Sequence, residues 1–413
     1  MNETIERYES NVRSYCRKWP ATFATSKGPF MYDEEGNRYI DFFDGAGTLN
    51  YGHNNPFIKQ AVVDYLMSDG IIHALDMTTS AKVAFIETLQ ERILKPRGLD
   101  YKVAFPGPTG TNANELALKF ARKATGRTEV WALMGAFHGM TLGALALTSD
   151  TYSRDGAGLP LVGTRHMPAP YTLPGLDALA YMEAVLADDH AGASKPAAII
   201  VETTQAEGGI QVLPSDFLKG LRELCTRHGI VMIVDDIQVG CWRTGTFFSF
   251  ERAGIKPDIV TLSKSLSGIG TPFALTLVAP EFDVLGPGEH NGTFRGNQLG
   301  MVAAKAAIDF SLDTDFASTL KSKSILVKEL VQGIAAKHGL EWRGIGMIWA
   351  IEMNDGKLVL DTIHKLFDRG VICEACGRGD SALKLMPALI TDEDVLREGF
   401  AAIDEVLGEV LGH

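Results

Sequence analysis

The sequence predicts an α/β protein: a large domain with a mostly parallel, mixed sheet between helices, followed by a smaller α/β domain. Three observations carry this. After about residue 100, short apolar segments alternate with helical periodicities, the pattern of strands joined by crossover helices. Two of those segments, Ala197-Ala-Ile-Ile-Val201 and Ile230-Val-Met-Ile-Val234, are apolar throughout, as strands covered on both faces are. Near residue 316 the pattern resets to a long amphipathic helix, shorter strands and a terminal helix.

Taken in order, residues 28–43 read as a β-hairpin turning at Glu35-Gly36-Asn37, and residues 56–69 have helical periodicity. Strands are expected at 102–105, 129–134, 197–202, 230–235, 258–262 and 273–279, and helices at 111–125, 139–147, 215–228 and 297–311. Beyond the reset, strands are expected at 345–352, 371–374 and 383–386, with a helix from about 391. This divides the chain into an N-terminal segment, 1–60, that joins the small domain, a large domain, 61–312, and a C-terminal small domain, 313–413.

The formal charge is −12, from 51 acidic and 39 basic residues, which makes nucleic acid and anionic membranes poor partners. No apolar run reaches the length of a membrane span, and the N-terminus lacks a basic segment followed by an apolar one, so no secretory signal is expected. Five scattered cysteines fit a reduced, cytoplasmic protein. Cys373 and Cys376 form a lone C-x-x-C without the second pair of a zinc ribbon, so no metal is expected.

Six motifs offer chemistry, and each also has a plainer reading. In Pro106–Glu115 a Gly- and Thr-rich turn opens a helix, where backbone N–H groups and the helix dipole favour a phosphate; Thr109 or Thr111 with Glu115 would also make an ordinary cap. Phe137, in Ala136-Phe-His-Gly139, could stack on a planar cofactor or fill the core. Glu202 and Glu207 follow a buried strand, where open α/β sheets place their ligands, or are solvated loop acids. Asp235 ends an apolar strand and needs a partner, such as a protonated pyridine nitrogen, unless it only caps the strand. Lys264 follows another apolar strand; burial would lower its pKa and expose a nucleophilic amine, and otherwise it is a solvated strand end. The loop Glu289–Asn297 offers further phosphate donors or is simply surface.

In order and spacing these motifs resemble the class III (ω-amino acid) aminotransferases of pyridoxal-5′-phosphate (PLP) fold type I, along essentially the whole chain. The resemblance rests on Gly107–Glu115, Phe137-His-Gly139, Glu202-x-x-Gln-x-Glu-Gly-Gly209, Asp235-Asp-Ile-Gln-x-Gly240, Arg243-Thr-Gly245, Ser263-Lys-Ser265 and Gly292-Thr-Phe-x-Gly-Asn297, with 29 positions from Asp235 to Lys264. It implies PLP as cofactor. Lys264 would carry it as a Schiff base and shuttle the proton, and Asp235 would keep the pyridine nitrogen protonated. Phe137 would stack on the ring, Gln238 would contact its 3-oxygen, Gly110 and Thr111 would bind the phosphate, and His138 would complete the cofactor set. Thr293 would reach the phosphate of a neighbouring subunit, making a homodimer or higher oligomer the working unit.

The implied partners are a small-molecule amino donor and a 2-oxo acid, with Glu207, Lys384 and Asn50 as candidate substrate residues. Segments such as Leu49–Pro56 and Pro287–Asn297 narrow the resemblance to members that move the 4-amino group between L-2,4-diaminobutyrate and 2-oxoglutarate, a step of ectoine synthesis. A 4-aminobutyrate-like donor, or a PLP isomerase or racemase on the same fold, are the alternatives. Three residues depart from the family pattern. Trp242 stands where a glycine is usual and is expected to crowd a loop near the cofactor. Met140 replaces the arginine that holds a carboxylate in many ornithine and acetylornithine transaminases. Lys384 replaces the arginine that usually pairs with Glu207, a point charge in place of a bidentate fork.

Overall fold

A computed structural model describes residues 2–412. At its centre lies a seven-stranded sheet in the spatial order Lys102–Ala104, Leu275–Val278, Ile259–Leu262, Val231–Asp235, Ala198–Val201, Val130–Leu133, Thr164–Met167. Only Leu275–Val278 runs antiparallel to its neighbours, so the expected mostly parallel mixed sheet is what forms. The three central strands are buried at every residue, which is why they read as apolar runs interrupted only by Thr261 and the terminal Asp235. Their carboxyl ends meet the N-terminus of helix Gly110–Thr125, and this junction positions the site.

Sequence periodicity missed several elements. Edge strand Thr164–Met167 is only partly buried and carries Arg165 and His166, so no apolar run marks it. Helices Ser80–Leu89, Ala178–Ala187 and Gly356–Asp368 also went unpredicted. The helix expected from residue 139 starts at Leu142, because Gly139 has φ +130 and an added Cβ would meet Thr111 Oγ1 at 2.4 Å.

Of residues 345–352, expected as one strand, Ile348–Glu352 form it; Ile345 instead ends a preceding strand, Glu341–Ile345, and the two pair as a hairpin reversing at Gly346 with φ +59. That hairpin extends into an antiparallel sheet through Ala382–Leu385 and Glu374–Cys376, in which Glu374 lies directly opposite Lys384. Helices Phe316–His338, Gly356–Asp368 and Glu393–Leu411 pack beside this sheet and one another. The N-terminal hairpin forms from Phe30–Asp33 and Arg38–Asp41, and Arg38–Asp41 pairs in parallel with Val371–Ile372, which ties the start of the chain to its C-terminal part. Among the described residues no helix is long and apolar enough to cross a membrane.

Candidate active site

A cavity of about 310 Å³ opens beyond the carboxyl ends of the central strands. It gathers ten of the residues singled out by sequence: Gly110, Thr111, Phe137, His138, Met140, Glu202, Glu207, Asp235, Gln238 and Lys264.

Asp235 ends strand Val231–Asp235 almost wholly buried and is held on three sides. Its Oδ2 accepts from Asn114 Nδ2 at 2.8 Å and meets His138 Nδ1 at 2.8 Å, while Oδ1 accepts from the Ile237 N–H at 3.1 Å. Asn114 is fixed in turn, donating to the His138 carbonyl and accepting from Thr261 Oγ1 at 2.9 Å. Burial alone would lower the His138 pKa; the hydrogen bond and charge of Asp235 outweigh it, and the imidazole sits above its ordinary value. The buried carboxylate is thus fixed at the cavity wall with its polar atoms partnered.

At the mouth of helix Gly110–Thr125 the capping alternative fails. Thr109 makes no side-chain cap and its hydroxyl turns to Asn112 Oδ1 at 2.7 Å, while Glu115 bonds Thr141 and the Ala144 N–H. The first-turn N–H groups therefore face the cavity without a capping side chain, at the positive end of a 16-residue helix. Gly110 is required there, since a Cβ would lie 2.9 Å from Ile237. Phe137 is half-buried on the wall rather than in the core, and its N–H donates to Glu202 at 3.0 Å. Burial pushes the Glu202 carboxyl up to about 7.

Lys264 begins a short turn after strand Ile259–Leu262 with φ +50, a strained setting for a side-chain-bearing residue. Burial lowers its amine to about 8, with Glu207 opposing the shift. Its Nζ donates to the Ala46 carbonyl at 2.9 Å. That carbonyl belongs to a run, Asp44 to Gly47, in which all four residues have positive φ. Buried Arg243 anchors the run through Asp44, and also donates to the Met347 carbonyl at 3.0 Å and the Pro387 carbonyl at 2.6 Å. Arg243 belongs to the Arg243-Thr-Gly245 motif, but Ala46 is a neighbour of Lys264 that the side-chain motifs did not reveal, because it makes the contact through its backbone.

At the other end of the cavity Gln238 Nε2 donates to Ala46 O at 2.8 Å and to Glu207 Oε1 at 3.1 Å. Lys384 lies behind Glu207, its side chain 1% exposed, with Nζ 2.5 Å from Glu207 Oε1 and 3.4 Å from Glu374 Oε2. Burial opposes the charged form of each; the two carboxylates nevertheless hold the lysine pKa up, and Lys384 holds Glu207 down. Burial pushes Glu374 up. Sequence reading missed Glu374.

The remaining predicted residues lie elsewhere. Asn50 is fully buried outside the lining, donating to the Cys241 carbonyl at 2.7 Å and accepting from Arg243 Nη2 at 2.5 Å. Thr293 sits on an exposed loop, its carbonyl 2.8 Å from His73 Nε2, and does not reach this chain's own cavity. Trp242 does not crowd the cofactor side: its indole turns into the core against Phe247 and Phe316, with ring centroids 6.1 Å away in each case. Met140 is exposed at the cavity rim.

A lysine amine and an escorted carboxylate on one cavity, beside an uncapped helix N-terminus on this sheet, are features of a class of enzyme. The chain belongs to the class III aminotransferases: the model of that family matches residues 14–407. Among its relatives, a diaminobutyrate–2-oxoglutarate transaminase of Nocardia farcinica is 50% identical over 97% of this chain and 94% of that protein. One of the same description from Oceanobacillus iheyensis is 47% identical over 98% and 96%. The solved ornithine aminotransferase of Toxoplasma gondii, which has partial occupancy of PLP at its active site, superposes with a TM-score of 0.84 at 26% identity, covering 98% of this chain and 93% of that one. The fold is also shared with taurine:2-oxoglutarate aminotransferase of Bifidobacterium kashiwanohense, with a TM-score of 0.85, 24% identity and coverage of 95% and 93%.

Proposed function

We propose that this transaminase moves the 4-amino group between L-2,4-diaminobutyrate and 2-oxoglutarate, yielding L-aspartate 4-semialdehyde and L-glutamate, with PLP bound in the Asp235–Lys264 cavity. The observation that carries the reading is the near-half identity, along almost the full chain, to relatives of that description, joined to a cavity that suits the cofactor. The fit is physical. An escorted buried carboxylate suits a protonated pyridine nitrogen, and the uncapped helix start behind Gly110 suits a phosphate. The half-buried face of Phe137 suits a planar ring.

Bound PLP would supply an electron sink at the reacting carbon. The chain's own residues would do the rest. Lys264, with an amine lowered to about 8, has a neutral fraction near neutral pH; it would hold the cofactor and, once released by the substrate amine, would move the proton at the reacting carbon. Asp235, buttressed by His138 and Asn114, keeps the pyridine nitrogen charged. Gln238 is placed to contact the ring's 3-oxygen, and Gly110 and Thr111 to hold the phosphate. Thr293, on an exposed loop, would serve the phosphate of a second copy, so the working unit is a homodimer or larger. Glu207 and Lys384 form the end that meets the substrate carboxylate: on arrival of 2-oxoglutarate, Lys384 would exchange Glu207 for the incoming group. Met140 offers no charge for the carboxylate of a longer donor.

The test is a panel of amino donors with 2-oxoglutarate and identified products. L-2,4-diaminobutyrate is expected to exceed ornithine and N-acetylornithine at least about tenfold in kcat/KM, the lower end of what one charge-assisted contact contributes. A better rate with either longer donor would refute the assignment of substrate.

A further inference from the structure

The substrate end holds one buried cation between two carboxylates, Glu374 buried and Glu207 with its side chain 33% exposed. Glu374 and Lys384 are a directly opposed cross-strand pair, and Lys384 also reaches Glu207 on the cavity wall. A lysine is a point charge and cannot satisfy both acids with a planar fork. The next cation on Glu374, Lys18, is 3.7 Å from its Oε1 and 23% exposed, so water shares its charge; the other cation acting on Glu207 is Lys264, which in the proposed holoenzyme is committed to the cofactor. Tyr15, whose phenol is pushed up to about 12 by burial and then by Glu374 and Glu207, stands beside the same acids and brings no positive charge. Glu207 therefore keeps negative charge that Lys384 does not fully neutralise, and only Glu207 of the two acids lines the cavity.

Resting on the proposed reaction, we infer that Glu374 sets donor selectivity. Lys384 and Gln238 both engage Glu207 Oε1; by sharing Lys384, Glu374 leaves charge on the Glu207 carboxylate to receive the α-ammonium of a 2,4-diamino acid, and so separates that donor from a 4-amino acid lacking the α-amino group. Glu374 acts through Lys384 and Glu207; it is a positioning residue and touches no reacting atom. The same surplus charge works against the acceptor, whose α-carboxylate must approach Lys384.

The test compares L-2,4-diaminobutyrate with 4-aminobutyrate, the same skeleton without the α-amino group, in wild-type holoenzyme and in Glu374→Gln, each with 2-oxoglutarate. In the variant the ratio of kcat/KM between the two donors is expected to fall on the order of fivefold, through a higher KM for diaminobutyrate, while the KM for 2-oxoglutarate falls. A purely structural role would weaken both donors alike and raise the acceptor KM; that outcome, or an unchanged ratio, overturns the inference. If Glu374→Gln does not fold, Lys384→Arg carries the same expectation, because a bidentate fork neutralises Glu207 more completely and the ratio should again fall. The wild-type comparison alone tests the proposed substrate: no preference for diaminobutyrate there refutes that reading, whereas a wild-type preference that survives in the variants refutes only the role of Glu374.

Discussion

At the Asp235 end of the cavity the carboxylate has its own fixed set of escorts, whereas at the Glu207 end one lysine serves two carboxylates. The first arrangement is cross-braced: Asn114 is clamped between Asp235, the His138 carbonyl and Thr261, and Asp235 is held in addition by His138 Nδ1 and the Ile237 N–H. The second is adjustable, since Lys384 already has two acids to choose between. Under the proposed reaction the difference follows from the work each end would do. One end would hold a single resident group through every cycle, where preorganisation is gain without loss. The other would accept an amino acid and a 2-oxo acid in turn, and a fully satisfied pair would resist both.

The largest effect should come from Lys264, where the two ends meet. Lys264→Met removes the amine with little change in volume and is expected to abolish turnover. Stability should move the opposite way. The folded amine sits at about 8 against an ordinary 10.5, so below about pH 8 the folded state carries a buried charge at a cost of about 3 kcal/mol. Between pH 8 and 10.5 the unfolded chain binds more protons than the folded one, so wild-type stability rises with pH there. Apo Lys264→Met should therefore be more stable than apo wild type at pH 7, with the gain vanishing as pH approaches 10.5. Denaturant midpoints across that range measure it; a variant less stable at pH 7 would show that the lysine is not strained by burial.

Next in size is Asp235→Asn, which keeps the shape of the cross-braced end and removes its charge. It is expected to cost about 3 kcal/mol in the transition state, roughly a hundredfold in kcat at saturating PLP. Without the carboxylate, His138 should also lose the partner that keeps its pKa raised, and imidazole titration followed by NMR would report this. An unchanged rate with the cofactor bound would mean that another acid supports the ring and that the contrast between the two ends is misdrawn.

The cross-braced end was the more legible in sequence for a physical reason. Asp235 ends an apolar strand and Lys264 stands two positions beyond another that only Thr261 interrupts, so each charge stands out, and Gly110 sits in a turn whose composition announces a helix start. The adjustable end gives no such signal. Glu374 lies in a three-residue strand too short for a period of two to show, and its partner is ten positions away across a sheet that local pattern cannot pair. The Ala46 carbonyl is a backbone group in a left-handed run, and alanine predicts neither. Lys384 came into view only through the family resemblance, and the resemblance did not reveal that it serves two acids.

Trp242 belongs to neither end, and its replacement should change activity least. The residue has φ +76, directly after Cys241 at φ +50, so its backbone is strained where glycine would be at ease. Its indole is nonetheless buried, edge-on to Phe247 and Phe316, with the Arg97 guanidinium 6.0 Å from the ring centroid. Trp242→Gly would relieve about 1–2 kcal/mol of backbone strain and lose about 3–5 kcal/mol of packing. The expected net is a loss of about 2 kcal/mol in stability, read from the denaturant midpoint, with kcat and both KM values unchanged because the ring does not line the cavity. The neighbouring Arg243 makes this a sharp test: it anchors Asp44 and through it the Ala46 carbonyl that holds Lys264 and Gln238. If Trp242→Gly lowers kcat while leaving stability intact, strain at Cys241-Trp242 is being transmitted through Arg243 into the left-handed run, and the site extends further into the core than its two ends.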